Sequence, residues 1–333
     1  MANFIAFDLE GPLSPQDNAY DLMKLFPNGD RIFEVISRYD DLLALEERKD
    51  YEPGDTLALI VPFLVRHNIE EKDIISLASQ ATLLGGAADL IYWLQANNWK
   101  VFCISTTYEQ YAIYITQKLG IFAHNVACTK FPLDRLCTTL CKEETGLIQQ
   151  AEEDILTMKP GDDDDRIKRR LDEFFWEKLP STDIGAAIKE VKPVGGHRKL
   201  VALTKFAERY SEPLYNWVAV GDSITDARML EEVELPGGLA IAFNANEYAL
   251  PYATMSLAST HISDLTEVLR AWQKGSRSEV KRVVQEKEET GGDGDRGYFH
   301  WLAGRENIDD FTEIRDIHRR IRQLVREEAG KLG

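Results

Sequence analysis

The chain of 333 residues carries 56 acidic and 39 basic side chains, which gives a formal net charge of −17. Nucleic acid and anionic lipid would repel such a surface, so neither is expected as a partner. Apolar residues make up 44% of the sequence, enough for a large packed core. The longest apolar run, residues 56–65, is too short to cross a bilayer and contains Pro62. We therefore expect a cytoplasmic protein without membrane contact.

The first apolar segment ends in two carboxylates. The run Phe4–Phe7 is followed by Asp8, Leu9, Glu10 and Gly11. Alternate side chains of a strand point to the same side, so Asp8 and Glu10 are expected to project together from its end. Gly11 then allows a sharp turn. Two acids in this position favour a nucleophile beside a general acid/base.

Three later segments are also nearly continuous in apolar residues, at positions 100–105, 217–220 and 238–243. Their β-branched and aromatic members are typical of strands buried on both faces. Helical patterns separate them, at positions 87–96, 108–119 and 199–210. This alternation predicts an α/β fold with a doubly wound parallel sheet, in which functional groups gather at the carboxyl ends of the strands.

Two long stretches interrupt the alternation. Residues 13–82 are mostly helical and too long for one crossover helix, so we expect them to form a helical cap module. Residues 127–194 form a second insertion, and its acidic run Asp162–Asp165 is interpreted as a capped helix start rather than a metal site. The predicted catalytic core consists of residues 1–12, 83–126 and 195–272.

Residues 273–333 form a charged, helical C-terminal extension. Its apolar residues recur three and four positions apart, which predicts an amphipathic helix whose apolar face must be covered. The stripe consists of Ile308, Phe311, Ile314, Ile317, Ile321 and Leu324. We expect this face to dock on its own subunit, with a homodimer contact as the alternative.

Four separate segments bring polar groups to the ends of the predicted strands: Asp8–Gly11, Ser105–Thr107, Lys199 and Gly221–Asp226. A helix-capping loop explains Asp222 but not the second acid, Asp226, one helical turn further on. Taken alone, Ser105 also fits a helix cap, and Lys199 fits a surface lysine. Their order and context favour one shared site.

With these motifs, the chain resembles the haloacid dehalogenase (HAD) superfamily of phosphohydrolases, in particular its phosphoserine phosphatase-like branch. The resemblance implies a Rossmann-like core with a cap domain. It also implies hydrolysis of a small phosphorylated metabolite, a phosphomonoester, through an aspartyl-phosphate intermediate, with Mg²⁺ as the cofactor.

The same resemblance implies residue roles. Asp8 corresponds to the nucleophile, and Glu10 to the general acid/base. The Ser105 hydroxyl and the Thr106 N–H correspond to groups that hold the transferring phosphoryl group. Lys199 corresponds to the lysine that neutralises both the nucleophile and that phosphoryl group.

A metal site is implied as well. Its ligands are expected to be Asp8, the Glu10 backbone carbonyl and Asp222, with Asp226 in a water-mediated or supporting contact. Two carboxylates about 5 Å apart repel by roughly 3 kcal/mol at an effective dielectric of 20. Four carboxylates carry a charge of −4, which one divalent cation and Lys199 reduce to −1. This charge balance indicates that the site requires its metal.

Glu10 departs from the family pattern, because most of these phosphatases carry Asp at this position. The D-L-E-G form also occurs in the phosphoserine:homoserine phosphotransferase branch, so transfer to an alcohol acceptor is an alternative. A non-catalytic accessory protein of the energy-converting hydrogenase-associated type is a second alternative. The intact acids and lysine argue against it.

No arginine of the cap stands out as a partner for a substrate carboxylate. The candidates are Arg31, Arg38, Arg48 and Arg66. Each of them equally fits a solvent-facing charge. Asn244, at the end of the fourth apolar segment, is either a turn residue or a residue that orients the site.

Overall fold

A seven-stranded sheet lies at the centre of the computed structural model, which describes residues 3–138, 142–161, 163–292, 297–305 and 308–326. The strands are β1 Asn3–Phe7, β2 Trp99–Tyr108, β3 Val126–Thr129, β4 Trp217–Gly221, β5 Leu239–Phe243, β6 Met255–Ala258 and β7 Tyr298–Trp301. Their spatial order is β3-β2-β1-β4-β5-β6-β7. The first six pair in parallel and β7 pairs antiparallel with β6. The predicted α/β class with a doubly wound sheet is confirmed.

The apolar segments of the sequence form the central strands because both faces of the sheet are covered. Six of the helices lie along the strands: α6 Ala87–Ala96, α7 Glu109–Lys118, α12 His197–Tyr210, α13 Ala227–Glu234, α14 Thr266–Thr290 and α15 Ile308–Arg326. Side chains of α6, α7 and α14 join the core on one face, with Ile5 and Val218. Those of α12, α13 and α15 join Phe4 and Ala219 on the other.

The predicted strands at 100–105, 217–220 and 238–243 are confirmed, although β2 continues to Tyr108. The sequence analysis missed β3, β6 and β7, each only four residues long. Such short segments carry too little periodicity to be distinguished from loops. Short 3₁₀ segments complete the core: Ala123–Asn125, Leu214–Asn216, Ile224–Asp226, Leu250–Tyr252 and Ile262–Leu265.

The two long insertions are helical. The first contains α1 Asn18–Met23, α2 Gly29–Leu45, α3 Thr56–Leu59, α4 Val61–Arg66 and α5 Glu71–Gln80. The second contains α8 Leu133–Cys137, α9 Lys142–Ile155, α10 Asp164–Asp172, the π-helix Glu173–Lys178, the 3₁₀ turn Leu179–Ser181 and α11 Asp183–Ile188. Phe63 of α4 packs against Phe174 and Phe175, so the insertions share an apolar contact.

Charged contacts also join the two insertions. Each arginine that sequence analysis considered for substrate binding meets a group of the second insertion. The pairs are Arg38 with Asp164 at 2.6 Å, Arg48 with Asp172 at 2.7 Å, Arg66 with Glu152 at 2.5 Å, and Arg31 with the Leu156 carbonyl at 3.0 Å. The acidic run does begin a helix at Asp164, while Asp162 lies outside the described residues.

The C-terminal helix α15 docks on its own chain. Ile314 and Ile321 are buried, and Phe311 packs against the same core. Leu324 was expected in the covered stripe, but it is 67% exposed. The buried face continues instead through His318, Arg322 and Arg326, since these lie four residues apart. The Ile308 side chain lies outside the described part. No helix of the described ranges has the length and hydropathy to cross a bilayer.

We expect Ile314→Ala to lower the free energy of unfolding by about 2–5 kcal/mol, because it opens a cavity beneath α15. The exposed Leu324 provides the matched control on the same helix, and Leu324→Ala should change stability by less than about 0.5 kcal/mol. Urea unfolding measures both. An equal loss for Leu324→Ala that depends on protein concentration would instead favour a homodimer contact.

Candidate active site

The candidate site lies where the winding of the sheet reverses, between β1 and β4. Asp8 follows β1, and its N–H donates to the Val220 carbonyl of β4 at 2.8 Å. Asp222 follows β4. Gly11 has a φ of +102°, and a Cβ at this position would collide with the Asp222 carboxylate. The residue after Glu10 must therefore be glycine for the two strand ends to approach.

Three carboxylates meet at this point. Oxygens of Asp8, Asp222 and Asp226 lie within 4.8 Å of one another, and all three residues are buried. Among the residues that the structure describes, no other His, Cys, Asp and Glu side chains form such a group. Buried carboxylate oxygens at this spacing suit a hard divalent cation. The Glu10 carboxylate is not a member of the group.

Lys199 lies between two of these acids. Its Nζ is 2.9 Å from Asp8 Oδ2 and 2.7 Å from Asp226 Oδ1, and the side chain is fully buried. Burial by itself lowers the pKa of Lys199, but the charges of Asp226 and Asp8 outweigh it and raise the pKa above its ordinary value. The ammonium group therefore remains charged at neutral pH.

Asp226 organises the loop behind the site. Its Oδ2 accepts hydrogen bonds from the backbone N–H groups of Asp222, at 3.0 Å, and Ser223, at 3.2 Å. Its Oδ1 accepts the bond from Lys199. Because both oxygens already have donors, Asp226 is placed to support Asp222 and Lys199.

Burial also raises the pKa values of Asp8 and Glu10, the two acids of the first motif. It raises the pKa of Asp8 well above its usual value, with contributions from Asp226 and Asp222, and Lys199 opposes the shift. Burial and the neighbouring Asp17 raise the pKa of Glu10. Glu10 Oε1 accepts the Asn18 N–H at 2.7 Å, which partly offsets this effect. A raised pKa favours a protonated Glu10, the form that a general acid requires.

The two predicted phosphate-binding residues of β2 differ in position. Thr106 borders the cavity above Asp8, and its hydroxyl donates to the Val194 carbonyl at 3.2 Å. Ser105 is fully buried, and its Oγ accepts the Thr107 N–H at 3.2 Å. Ser105 is not among the residues that line the cavity. Asn244 contacts Ser259 through its amide, so its side chain joins the ends of β5 and β6.

The cavity above these residues has a volume of about 120 Å³. Six acidic residues line it: Asp8, Glu10, Asp17, Asp40, Asp41 and Asp222. Within the described part of the chain, the cationic side chains that line it are Arg322 and Arg326 of α15. None of the four cap arginines reaches it, because their partners lie in the second insertion.

Sequence analysis missed Arg322 and Arg326. Both guanidinium groups contact Oδ2 of Asp222, and the distance from Arg326 Nη1 is 3.1 Å. Their spacing of four residues was a weak signal, since it places them on one face of the helix. Other basic residues surround them in the segment, so the sequence offered nothing that distinguished these two.

Residues 86–267, more than half of the chain, match the family model for haloacid dehalogenase-like hydrolases. The chain belongs to this family of hydrolases, as the sequence motifs implied. The matched region contains Lys199, Asp222 and Asp226; Asp8 precedes it and α15 follows it.

Two solved structures are similar to this chain in fold. A gene product from Archaeoglobus fulgidus is 26% identical, with a TM-score of 0.86, over 100% of this chain and 99% of that one. A phospho-aspartyl intermediate analogue of phosphoserine phosphatase is 17% identical, with a TM-score of 0.52, over 80% and 98% of the two chains. The latter likeness concerns the fold. No functionally curated protein matches the sequence.

Asp40 closes the cap side of the cavity. Its carboxylate accepts hydrogen bonds from the Tyr51 hydroxyl and from the N–H groups of Gly54, at 3.1 Å, and Thr56, at 3.2 Å. Burial is the largest influence on this group, and it raises the pKa of Asp40 to about 6. The folded protein therefore holds the Asp40 proton at pH values where the unfolded chain releases it.

This pKa shift predicts a pH-dependent contribution to stability. Protonation of Asp40 contributes fully to the free energy of unfolding below the pKa of this group in the unfolded chain, about 4. This contribution is lost as the pH rises through about 6. It amounts to about 3 kcal/mol over that interval. In Asp40→Asn, the free energy of unfolding measured in urea should fall by correspondingly less between pH 4 and pH 6 than it does in the wild-type protein. An unchanged pH profile in this variant would contradict the assignment.

Proposed function

We propose that the protein is a Mg²⁺-dependent phosphatase that hydrolyses a small phosphomonoester through an aspartyl phosphate on Asp8. The observation that carries this proposal is the meeting of Asp8, Lys199, Asp222 and Asp226 at one end of the sheet, beside a cavity. Membership in the hydrolase family supports it.

In the first step, a carboxylate oxygen of Asp8 forms a bond to phosphorus, and the ester P–O bond breaks. Glu10, whose raised pKa favours the acid form, donates its proton to the departing oxygen, so that an alcohol leaves. Lys199 retains its charge beside Asp8 and offsets the negative charge that gathers there. Thr106 borders the space for the phosphoryl oxygens, and Ser105 supports the same turn.

In the second step, Glu10 acts as a base. Its carboxylate takes a proton from water, the water oxygen bonds to phosphorus, and the bond between phosphorus and the Asp8 oxygen breaks. Inorganic phosphate leaves, and Glu10 is protonated again. An alcohol in place of water would give phosphotransfer, the alternative that the D-L-E-G motif raises.

Magnesium fits the acidic residues of this site. Asp8, Asp222 and the Glu10 backbone carbonyl would hold it, with Asp226 supporting them from behind. These are the oxygen ligands that the ion prefers. When bound, Mg²⁺ supplies positive charge that polarises the phosphoryl oxygens and offsets the repulsion among the carboxylates.

We expect Asp8→Asn to lose at least about a thousandfold in kcat for an aryl phosphate, because an amide is not a nucleophile for phosphorus. Release of the aryl alcohol, followed with and without Mg²⁺, measures this loss. Asp89→Asn is the matched control, since Asp89 is exposed on α6. Wild-type turnover that is independent of Mg²⁺, or that survives in Asp8→Asn, would contradict the proposal. Phosphorylated product from added small alcohols would instead indicate transfer.

The charge of the cavity wall bears on the substrate. The cap contributes Asp17, Asp40 and Asp41 to the lining, and its arginines bind elsewhere. Carboxylates repel a carboxylate and attract an amine. We therefore infer that the substrate carries a neutral or cationic group beyond its phosphate.

Phosphoethanolamine should exceed phosphoglycolate in kcat/KM by about tenfold or more, which corresponds to about 1.4 kcal/mol. Assays at pH 8 keep Asp41 charged, since burial raises its pKa to about 7. Asp41→Asn should reduce the preference. Glu34→Gln is the control, because Glu34 is exposed on the same helix, and it should leave the preference unchanged. Equal rates for both esters would overturn the inference about substrate charge.

A further inference from the structure

Three buried side chains of α15 contact the ends of β4 and β5 and the loop that follows β1. His318 Nδ1 accepts the Ala245 N–H, after β5, at 2.8 Å. Arg322 contacts the Asp222 carboxylate, after β4, and its Nη1 is 3.4 Å from the Asn244 carbonyl. His318, Arg322 and Arg326 lie four residues apart, so they form one buried polar face of the helix. We call these three residues the α15 clamp.

Arg326 extends the clamp to the loop that carries Glu10. Its Nε donates to the Pro15 carbonyl at 3.2 Å, and its Nη1 lies 3.1 Å from Asp222 Oδ2. Both arginines contact the same carboxylate oxygen. Among the contacts of described residues, Asp222 Oδ1 receives no donor, so the arginines leave that oxygen for another ligand.

The net charge of the site depends on these two arginines. The first step requires Glu10 to carry its proton, so Asp8, Asp222 and Asp226 sum to −3, and Lys199 with a divalent cation brings the sum to 0. A neutral site would give a phosphate dianion no net attraction, and three more acids line the cap side. Arg322 and Arg326 add +2, so that the metal-loaded site becomes +2 and attracts the dianion.

We propose that α15 supplies the positive charge that lets the active site bind phosphate, through Arg322 and Arg326. The ligand class is the phosphoryl dianion, as substrate or as the inorganic product. This inference rests on the proposed function and adds to it a binding role for a helix that lies beyond the matched family region.

The test measures inorganic phosphate as a competitive inhibitor at saturating Mg²⁺, in the full-length protein. Loss of one charged interaction should raise its inhibition constant about tenfold to a hundredfold in Arg326→Met. Arg326→Lys should recover part of this loss, since it retains the charge. Arg319→Met, on the exposed side of α15, is the control and should leave the constant unchanged.

Arg322→Met should raise the same constant, but it also destabilises the fold, because Asp222 loses a buried partner. Circular dichroism and the melting temperature of each variant separate the two effects. A lower melting temperature with an unchanged inhibition constant in both variants would assign the clamp a purely structural role and overturn the inference.

Two further outcomes keep this inference distinct from the proposed function. An altered Mg²⁺ requirement with unchanged phosphate inhibition at saturating metal would mean that the arginines only position Asp222, and it would overturn the inference alone. Absence of any phosphate inhibition in the wild-type protein would count against the phosphatase itself.

Discussion

Repulsion among buried carboxylates is the constraint on which the rest of this structure depends. Asp8, Asp222 and Asp226 lie close together with little solvent to screen them. Two such charges about 5 Å apart repel by roughly 3 kcal/mol at an effective dielectric of 20. Lys199 offsets part of this cost by contacting two of the acids at once. The fold must hold these groups together and also supply the cations that make the cluster tolerable.

Charge around the cavity is divided between two parts of the chain. The cap wall is acidic, and the arginines of the first insertion are used to hold the second one. Of the described residues, the cations that line the cavity come instead from α15, far from the cap in the sequence. In the function that we propose, the acidic cap faces the remainder of the substrate and the C-terminal helix faces its phosphate.

Strong local patterns made most of the core predictable. Continuous apolar segments identified β1, β2, β4 and β5, because a strand buried on both faces has little room for polar residues. Helix α6 matches its predicted bounds of 87–96. The four-residue strands β3, β6 and β7 escaped notice because they are set mainly by pairing with a neighbour. Leu324 was placed on the wrong face, since the buried side of α15 is partly polar.

The sequence by itself determined the class of fold and the acids and lysine of the candidate site. Motifs such as D-x-E-G and G-D-S-x-x-D record short-range geometry, in which neighbouring residues lie together at a strand end. Only the tertiary structure decided the partners of the arginines. Arg38 pairs with Asp164 and Arg322 with Asp222, although the sequence around each arginine does not indicate its partner. A long, flexible cation takes the partner that the packing of distant segments brings within reach.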